Sequence, residues 1–154
     1  MEISELVTPE SVIARLRSGS KKQALQDIAR QASSVTGMGE RAIFDALLER
    51  ERLGSTGVGL GIAIPHAKLP ELSNLHGVFA RAESPIDFDA IDEQPVDLIF
   101  LLLAPEGAGA DHLKALARVS RLLRNHDICE KLRGADGAEA IYALLTESES
   151  HQAA

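Results

Sequence analysis

The run VDLIFLLLA at residues 96–104 constrains the fold more than any other stretch of the chain. Apart from Asp97 its side chains are all apolar, so a strand built from it has an apolar surface on both faces. Such a strand is stable in the centre of a sheet that helices cover on each side. The run is too short to span a bilayer. The sequence therefore predicts an α/β protein with three layers, α/β/α.

Three further segments have the pattern of strands. In SVIARLRS (11–18) an apolar set of residues alternates with a set that contains two arginines, which predicts a half-buried strand. A short helix begun by Thr8 and Pro9 is an alternative. GIAI (61–64) and HGVFARA (76–82) are short strand candidates that precede the central run. Since three of these four strands follow one another without an intervening helix, we expect a small mixed sheet. A doubly wound dinucleotide-binding fold is disfavoured for the same reason.

Helical spacing of apolar residues predicts two helices between the first and second strands. The first begins with a capping box of Ser20 and Gln23 and ends at Gly37. The second begins after Gly39 and ends at Gly54, where we expect a residue in the left-handed conformation.

Three more helices follow the central strand, which gives the order β-α-α-β-β-β-α-α-α. Asp111 is expected to cap the first of them, DICEKLR forms the second, and Asp136 with Glu139 is expected to form a capping box for the third. The domain is predicted to cover residues 1–146, and residues 147–154 form a polar C-terminal tail that we expect to fray.

Charge and cysteine content narrow the possible partners and compartments. The net charge of −7 opposes binding to nucleic acid or to an anionic membrane and favours a protein or small-molecule partner. Cys129 is the only cysteine, so the chain has no disulfide framework, and a reducing cytoplasm fits best. The N-terminal segment MEISELVTPE lacks the apolar core of a signal peptide. We therefore expect a cytoplasmic protein without membrane insertion.

The most informative motif is GSTGVGLGIAIPHAKLPEL at residues 54–72. Pro65 has no N–H and pushes Ile64 into an extended conformation, so we expect the strand to stop there. His66 is then delivered to a loop at the carboxyl end of a strand, where functional sites of α/β proteins usually lie. The glycines before it would clear side-chain bulk around His66 and expose backbone N–H groups to an anion. An idle loop histidine behind a flexible turn is the alternative.

Known nucleotide-binding and catalytic motifs do not account for this stretch. GVGLG lacks the GxGxxG spacing and precedes a strand, and the chain has no GxxxxGK[ST] sequence. A zinc site built from His66, His76 and His112 is disfavoured because the three histidines have no metal-ligand spacing. No GxSxG is present, which disfavours a serine hydrolase. The acidic stretch DFDAIDEQPVD (87–97) is interpreted as a polar loop able to contact a partner.

The segments RERLGSTGVGLGIAIPHAKL, SPIDFDAIDEQPVDLIFLLLAP and DHLKALARVSRLL resemble the fructose/mannitol-type enzyme IIA domain of the bacterial phosphoenolpyruvate-dependent phosphotransferase system. The resemblance is strongest to the nitrogen-regulatory branch of that family and covers about residues 20–146. The family usually has Gly after the histidine of the PH motif and often Asn before GIAIPH, where this chain has Ala67 and Leu60. These differences bear on partner preference and not on the chemistry.

The resemblance implies that His66 is the phosphoryl acceptor, modified on its tele nitrogen, Nε2. By the same matching Arg50 and His112 belong to the site. A guanidinium suits phosphate oxygens, although arginines at helix ends also interact with the helix dipole. A histidine at a helix start tends to stay neutral, so His112 could donate one N–H to the phosphoryl group, and an exposed first-turn residue is the alternative. Such transfer requires positioning and charge stabilisation, and no metal or cofactor is expected.

Three functions are compatible with these features. The first is a phosphocarrier that accepts the group from a phosphohistidine of an HPr-like protein and binds regulatory targets according to its phosphorylation state. A potassium transporter or a sensor kinase is the kind of target that the resemblance implies. The second is a sugar-specific enzyme IIA that passes the group to a IIB cysteine, and the third is a binding module that kept only the fold. The oligomeric state is not predicted.

Overall fold

The computed structural model describes the backbone of residues 2–153 and the side chains of residues 2–147. Within that part of the chain, helices surround a mixed sheet of six strands. The helices are α1 (Ile3–Leu6), α2 (Lys21–Thr36), α3 (Glu40–Leu53), α4 (Ala110–Arg124), α5 (His126–Gly134) and α6 (Ala138–Ala153), with a 3₁₀ turn at Pro9–Ser11. The strands are β1 (Val12–Leu16), β2 (Gly57–Gly59), β3 (Ile62–Ala63), β4 (His66–Leu69), β5 (His76–Ile86) and β6 (Val96–Pro105).

Strand β6 lies in the centre of the sheet, as its sequence predicts. The strand order is β1-β5-β6-β3-β2, and β4 also pairs with β6. β5 is antiparallel to β6, whereas β3 and β4 are parallel to it. β1 is parallel to β5, and β2 is antiparallel to β3, so the predicted mixed sheet is confirmed.

Successive side chains of β6 enter two separate cores. Ile99, Leu101 and Leu103 are buried with the apolar faces of α2 and α3 on one side of the sheet. Leu98 and Phe100 are buried with residues of α1, α4, α5 and α6 on the other side. This division into two cores confirms the α/β/α arrangement.

Helices α2 and α3 end at the predicted glycines, but two details differ from the prediction. The Gln23 side chain donates to Asp27 and does not complete a capping box with Ser20, and Gly54 is not in the left-handed helical conformation. The Ser20 hydroxyl accepts a hydrogen bond from the Gln23 N–H, and Gly37 ends α2 in the left-handed conformation with φ of 79°. Gly54, after α3, has φ of 155° and ψ of 147°, which is outside the left-handed helical region. The chain leaves α3 almost fully extended because Thr56 is bonded back to Glu51, within the last turn of the helix.

Two predicted helix caps lie one or two residues from the observed positions. α4 begins at Ala110 after Gly109, so Asp111 is in the first turn and not at the cap. α6 begins at Ala138, one residue later than a cap at Asp136 requires. In both cases a glycine directly precedes the helix and occupies the cap position that the prediction gave to the acidic residue.

The sequence reasoning missed three short elements, namely α1, β2 and β4. Helix α6 extends to Ala153 and so includes residues that were expected to form a tail. Within the described residues, no helix is both long and apolar enough to cross a membrane.

Candidate functional site

His66 is the first residue of strand β4, and the prediction that it lies in a loop is wrong. The chain leaves the sheet ladder at Ile64 and Pro65 and rejoins it at His66, which is opposite Leu102 of β6. The Pro65 carbonyl accepts a hydrogen bond of 2.9 Å from the Leu102 N–H. Proline lacks a donor but keeps its acceptor, so it interrupts the strand without separating the chain from β6. His66 is therefore anchored to the central strand.

A backbone hydrogen bond selects the tautomer of His66. The Nδ1 atom lies 2.9 Å from the Ile64 carbonyl oxygen. A carbonyl can only accept, so Nδ1 must carry the proton. In the neutral ring, Nε2 is then the nitrogen with the free lone pair, and it is the nucleophilic atom of this side chain.

His112 lies in the first turn of α4 and packs against His66. The two rings meet edge to face, with centroids 5.8 Å apart. His112 is buried, and its Nε2 atom has no hydrogen-bond partner among the described residues. Burial lowers the pKa of His112, and the neighbouring charges of His66 and Lys68 lower it further. Burial and these two neighbours, and not the helix start alone, therefore favour the neutral form of His112, and its Nε2 atom is left without a partner among the described residues.

Arg50 lies in the last turn of α3, close to the same histidines. Its Nη1 atom donates a 2.9 Å hydrogen bond to the Gly54 carbonyl. This bond fixes the side chain over the end of the helix, while the other guanidinium nitrogens have no partner among the described residues. A guanidinium held in this way can present a planar pair of donors to an anion.

The three candidate residues line one pocket of about 350 Å³. Sequence reasoning missed Lys68, which also lines this pocket. Lys68 lies two residues after His66 on β4, and alternate residues of a strand point to the same face of a sheet. The two-residue spacing in PHAK could have identified it. Arg50 and Lys68, against the single carboxylate of Glu49, make a pocket that suits a small anion.

The motif's glycines have a different role from the predicted one. No glycine lines the pocket, among the side chains and backbone that the structure describes. Gly57 and Gly59 form β2, where a Cβ atom on Gly57 would lie 2.9 Å from the Cβ of Ala90. Gly61 has φ of 82°, which favours glycine in the turn between β2 and β3. These glycines permit a tight hairpin to pack against the loop before β6, and they do not clear space around His66.

The family of the chain follows from comparison with known proteins. Residues 5–148 match the model of the phosphoenolpyruvate-dependent sugar phosphotransferase system, EIIA 2 family. The chain belongs to this family, in agreement with its fold.

The resemblance to the nitrogen-regulatory branch is also confirmed. A nitrogen regulatory protein of Bradyrhizobium diazoefficiens is 60% identical over 94% of this chain and 95% of its own length. The nitrogen regulatory protein of Escherichia coli K12 is 42% identical over 97% of this chain and 92% of its own length. The crystal structure of the nitrogen regulatory protein IIA-Ntr from Neisseria meningitidis superposes with a TM-score of 0.88 at 35% identity, covering 94% of this chain and 99% of that one.

Proposed function

We propose that this chain is a cytoplasmic phosphocarrier whose Nε2 atom of His66 accepts a phosphoryl group from a phosphohistidine of an HPr-like protein. The observation that carries the proposal is the hydrogen bond from Nδ1 of His66 to the Ile64 carbonyl. It leaves the nucleophilic lone pair on Nε2, in a pocket that also contains Arg50 and Lys68.

The transfer balances without an added proton or metal ion. The Nε2 lone pair attacks phosphorus, the P–N bond of the donor breaks, and the donor ring keeps that electron pair. A donor ring protonated on its other nitrogen leaves as a neutral imidazole. His66 becomes a phosphorylated imidazolium with its proton still on Nδ1, and the Ile64 carbonyl stabilises that ring by accepting the N–H.

The surrounding side chains stabilise the transferred group. The guanidinium of Arg50 and the ammonium of Lys68 offset the charge on the phosphoryl oxygens. His112 stays neutral because burial lowers its pKa. A neutral imidazole carries one N–H, which His112 can donate to the phosphoryl group. A phosphoryl oxygen then supplies the hydrogen-bond partner that the Nε2 atom of His112 lacks among the described residues.

Phosphorylation changes the surface that regulatory targets contact. The group adds up to about two negative charges beside Leu53, which lines the pocket and is 83% exposed. A target that docks on this leucine through an apolar contact has to desolvate the new charge and so loses affinity. A potassium transporter or a sensor kinase is the class of target that we propose, with the unphosphorylated form as the stronger binder.

The acceptor is tested by incubating the chain with phosphoenolpyruvate, enzyme I and an HPr-type carrier. We expect one acid-labile, base-stable phosphate per chain, located on His66 by peptide mass spectrometry. His66→Ala should accept none. His126→Ala, which removes an exposed histidine outside the pocket, is the matched control and should be labelled like the wild type. Labelling of His66→Ala at the wild-type rate would refute the proposal.

A binding comparison and a transfer assay distinguish the regulatory function from sugar transport. Wild type, His66→Ala and His66→Asp are compared for binding to candidate targets, and phosphorylated wild type is mixed with a fructose- or mannitol-type IIB protein. We expect His66→Asp to bind targets less tightly than His66→Ala and the IIB cysteine to remain unmodified. Equal binding by all three forms together with efficient transfer to IIB would instead assign the chain to sugar uptake.

A further inference from the structure

The carbonyl that holds the His66 ring belongs to a residue between two strands. Ile64 follows β3 and precedes β4, and among the described residues the register of these strands against β6 does not include it. Its carbonyl oxygen lies 2.9 Å from Nδ1 of His66. Its N–H donates over 3.0 Å to the carbonyl of Thr56, in the loop that leads to β2. Because the strand ladders do not hold Ile64, the bond to Thr56 helps to set the direction of the carbonyl that His66 uses.

A buried carboxylate in turn holds Thr56. The Glu51 carboxylate accepts from the Thr56 N–H over 3.3 and 3.2 Å and also from the Thr56 hydroxyl. Both residues are buried, and Oε2 of Glu51 lies 2.7 Å from Nζ of Lys21 at the start of α2. A buried polar network with its partners in place is rigid. Glu51 therefore fixes Thr56 relative to the two helices.

The same loop also holds the arginine of the His66 pocket. Arg50 directly precedes Glu51 in α3, and its Nη1 atom donates to the Gly54 carbonyl. The Gly54 N–H donates back to the Glu51 carbonyl over 3.1 Å. The carbonyls of residues 54 and 56 thus fix the two groups on which transfer depends, the guanidinium directly and the acceptor ring through Ile64.

We propose that Glu51 and Thr56 are positioning residues for phosphoryl transfer, which direct the Ile64 carbonyl and thereby keep the His66 proton on Nδ1. The inference rests on the proposed function of His66 as the phosphoryl acceptor. Neither Glu51 nor Thr56 is among the described residues that line the pocket, so both act through other groups. If the Ile64 carbonyl turns away, exchange with water can place the proton on Nε2, and the lone pair is then lost from the nucleophilic position.

The ¹⁵N chemical shifts of the His66 ring test this positioning without any transfer. In alkaline buffer, where imidazoles are neutral, the protonated and the unprotonated nitrogen give well-separated signals, and a mixture of tautomers averages them. We expect the wild type to show the Nδ1–H form alone. Glu51→Ala removes the clamp, and Thr56→Val removes only its hydroxyl bond with little change of shape. Both variants should move the two signals toward their average.

Two control variants separate positioning from loss of stability. Thr56→Ser keeps the hydroxyl that Glu51 accepts from and should restore the wild-type signals. Leu145→Ala, in α6, removes a fully buried apolar side chain that has no part in these hydrogen bonds. It should destabilise the fold and leave the ring signals of His66 unchanged.

Transfer kinetics with an HPr-type donor test the consequence for function. The maximal rate should fall by about tenfold or more in Glu51→Ala and by about three- to tenfold in Thr56→Val, because small displacements of reacting groups are costly. The KM for the donor should change little, since neither side chain lies on the pocket surface. Leu145→Ala should transfer like the wild type.

The outcomes distinguish this inference from the function on which it rests. Wild-type ring signals in both Glu51→Ala and Thr56→Val overturn the positioning role, and so do wild-type transfer rates in both. Ring signals that change equally in Leu145→Ala overturn it as well, because they would then report general destabilisation. A wild type that accepts no phosphate on His66 contradicts the proposed function instead, while the ¹⁵N comparison still decides whether Glu51 and Thr56 orient the ring.

Discussion

Replacement of Glu51 should destabilise the fold more than any other change of a single charged residue near the site. Glu51 is 8% exposed at the end of α3. Its Oε2 atom lies 2.7 Å from Nζ of Lys21, and its carboxylate accepts hydrogen bonds from both the N–H and the hydroxyl of Thr56. One buried carboxylate thus joins the start of α2, the end of α3 and the loop that leads to β2.

The expected loss follows from what remains after the carboxylate is removed. Breaking a buried ion pair by deleting one partner typically costs about 3–5 kcal/mol, because the other charge is left without compensation. Lys21 keeps a second carboxylate, Asp89, at 3.7 Å, so we expect the lower limit, about 3 kcal/mol, for Glu51→Ala. Glu51→Gln keeps an acceptor for Thr56 and loses only the charge, which should cost about 1–2 kcal/mol.

Urea unfolding followed by circular dichroism measures these losses. With a slope of about 2 kcal/mol per molar urea, Glu51→Ala should lower the midpoint by about 1.5 M. Asp45→Asn breaks an exposed pair with Arg41 on the same helix and should change stability by less than about 0.5 kcal/mol. If Glu51→Ala lowers the free energy of unfolding no more than Asp45→Asn does, the Glu51 carboxylate does not stabilise the contact between α2, α3 and the loop to β2.

Three further outcomes are expected. Arg50→Ala should slow phosphorylation by about 10- to 1000-fold without moving the modified residue, as quench-flow labelling beside an Arg41→Ala control would show. The pKa of His112 is lowered mainly by burial, so the unfolded chain binds more protons below the ordinary value of 6.5. Stability should therefore fall as the pH drops through 6.5, and less steeply in His112→Gln, in a urea series. Gly77→Ala should cost about 3 kcal/mol and lower the melting temperature in calorimetry, because its Cβ would lie 2.6 Å from the Phe100 ring.

Elements that rest on local patterns were predictable from the sequence. The central strand is apolar at both odd and even positions, so its burial between two helical layers follows from residues 96–104 alone. The hydroxyl of Ser20 and the glycine at position 37 specify the ends of α2 through bonds within a few residues. Neither inference needs a distant part of the chain.

Elements that rest on distant partners were not predictable in this way. β2 has three residues, two of them glycine, and exists because it pairs with β3 and because residues 90–92 of the loop before β6 pack against it. β4 was excluded by the missing N–H of Pro65, although the carbonyl of the same residue still pairs with Leu102. The rule that proline ends a strand considers only its missing N–H. It cannot foresee that the carbonyl of Pro65 accepts from a residue 37 positions later in the chain.

The site was predictable only with the help of the family. No spacing rule brings His66 and His112 together, because they lie on a strand and a helix that the fold joins through β6. The resemblance supplied that pair and Arg50, and the structure places all three around one pocket. Lys68 shows the reverse case, since the two-residue period of a strand places it beside His66 without any knowledge of the family.

Net charge and local charge describe different properties of this chain. The total of −7 opposes long-range attraction of nucleic acids and anionic membranes. At physiological ionic strength, exposed charges beyond about 8 Å are largely screened, so a group bound at His66 responds mainly to its immediate neighbours. Those neighbours include Arg50 and Lys68 against one carboxylate, Glu49. An acidic protein can therefore hold a phosphoryl group in a locally cationic pocket. Because few acidic residues lie there, phosphorylation makes a large change in the local charge that a docking partner meets.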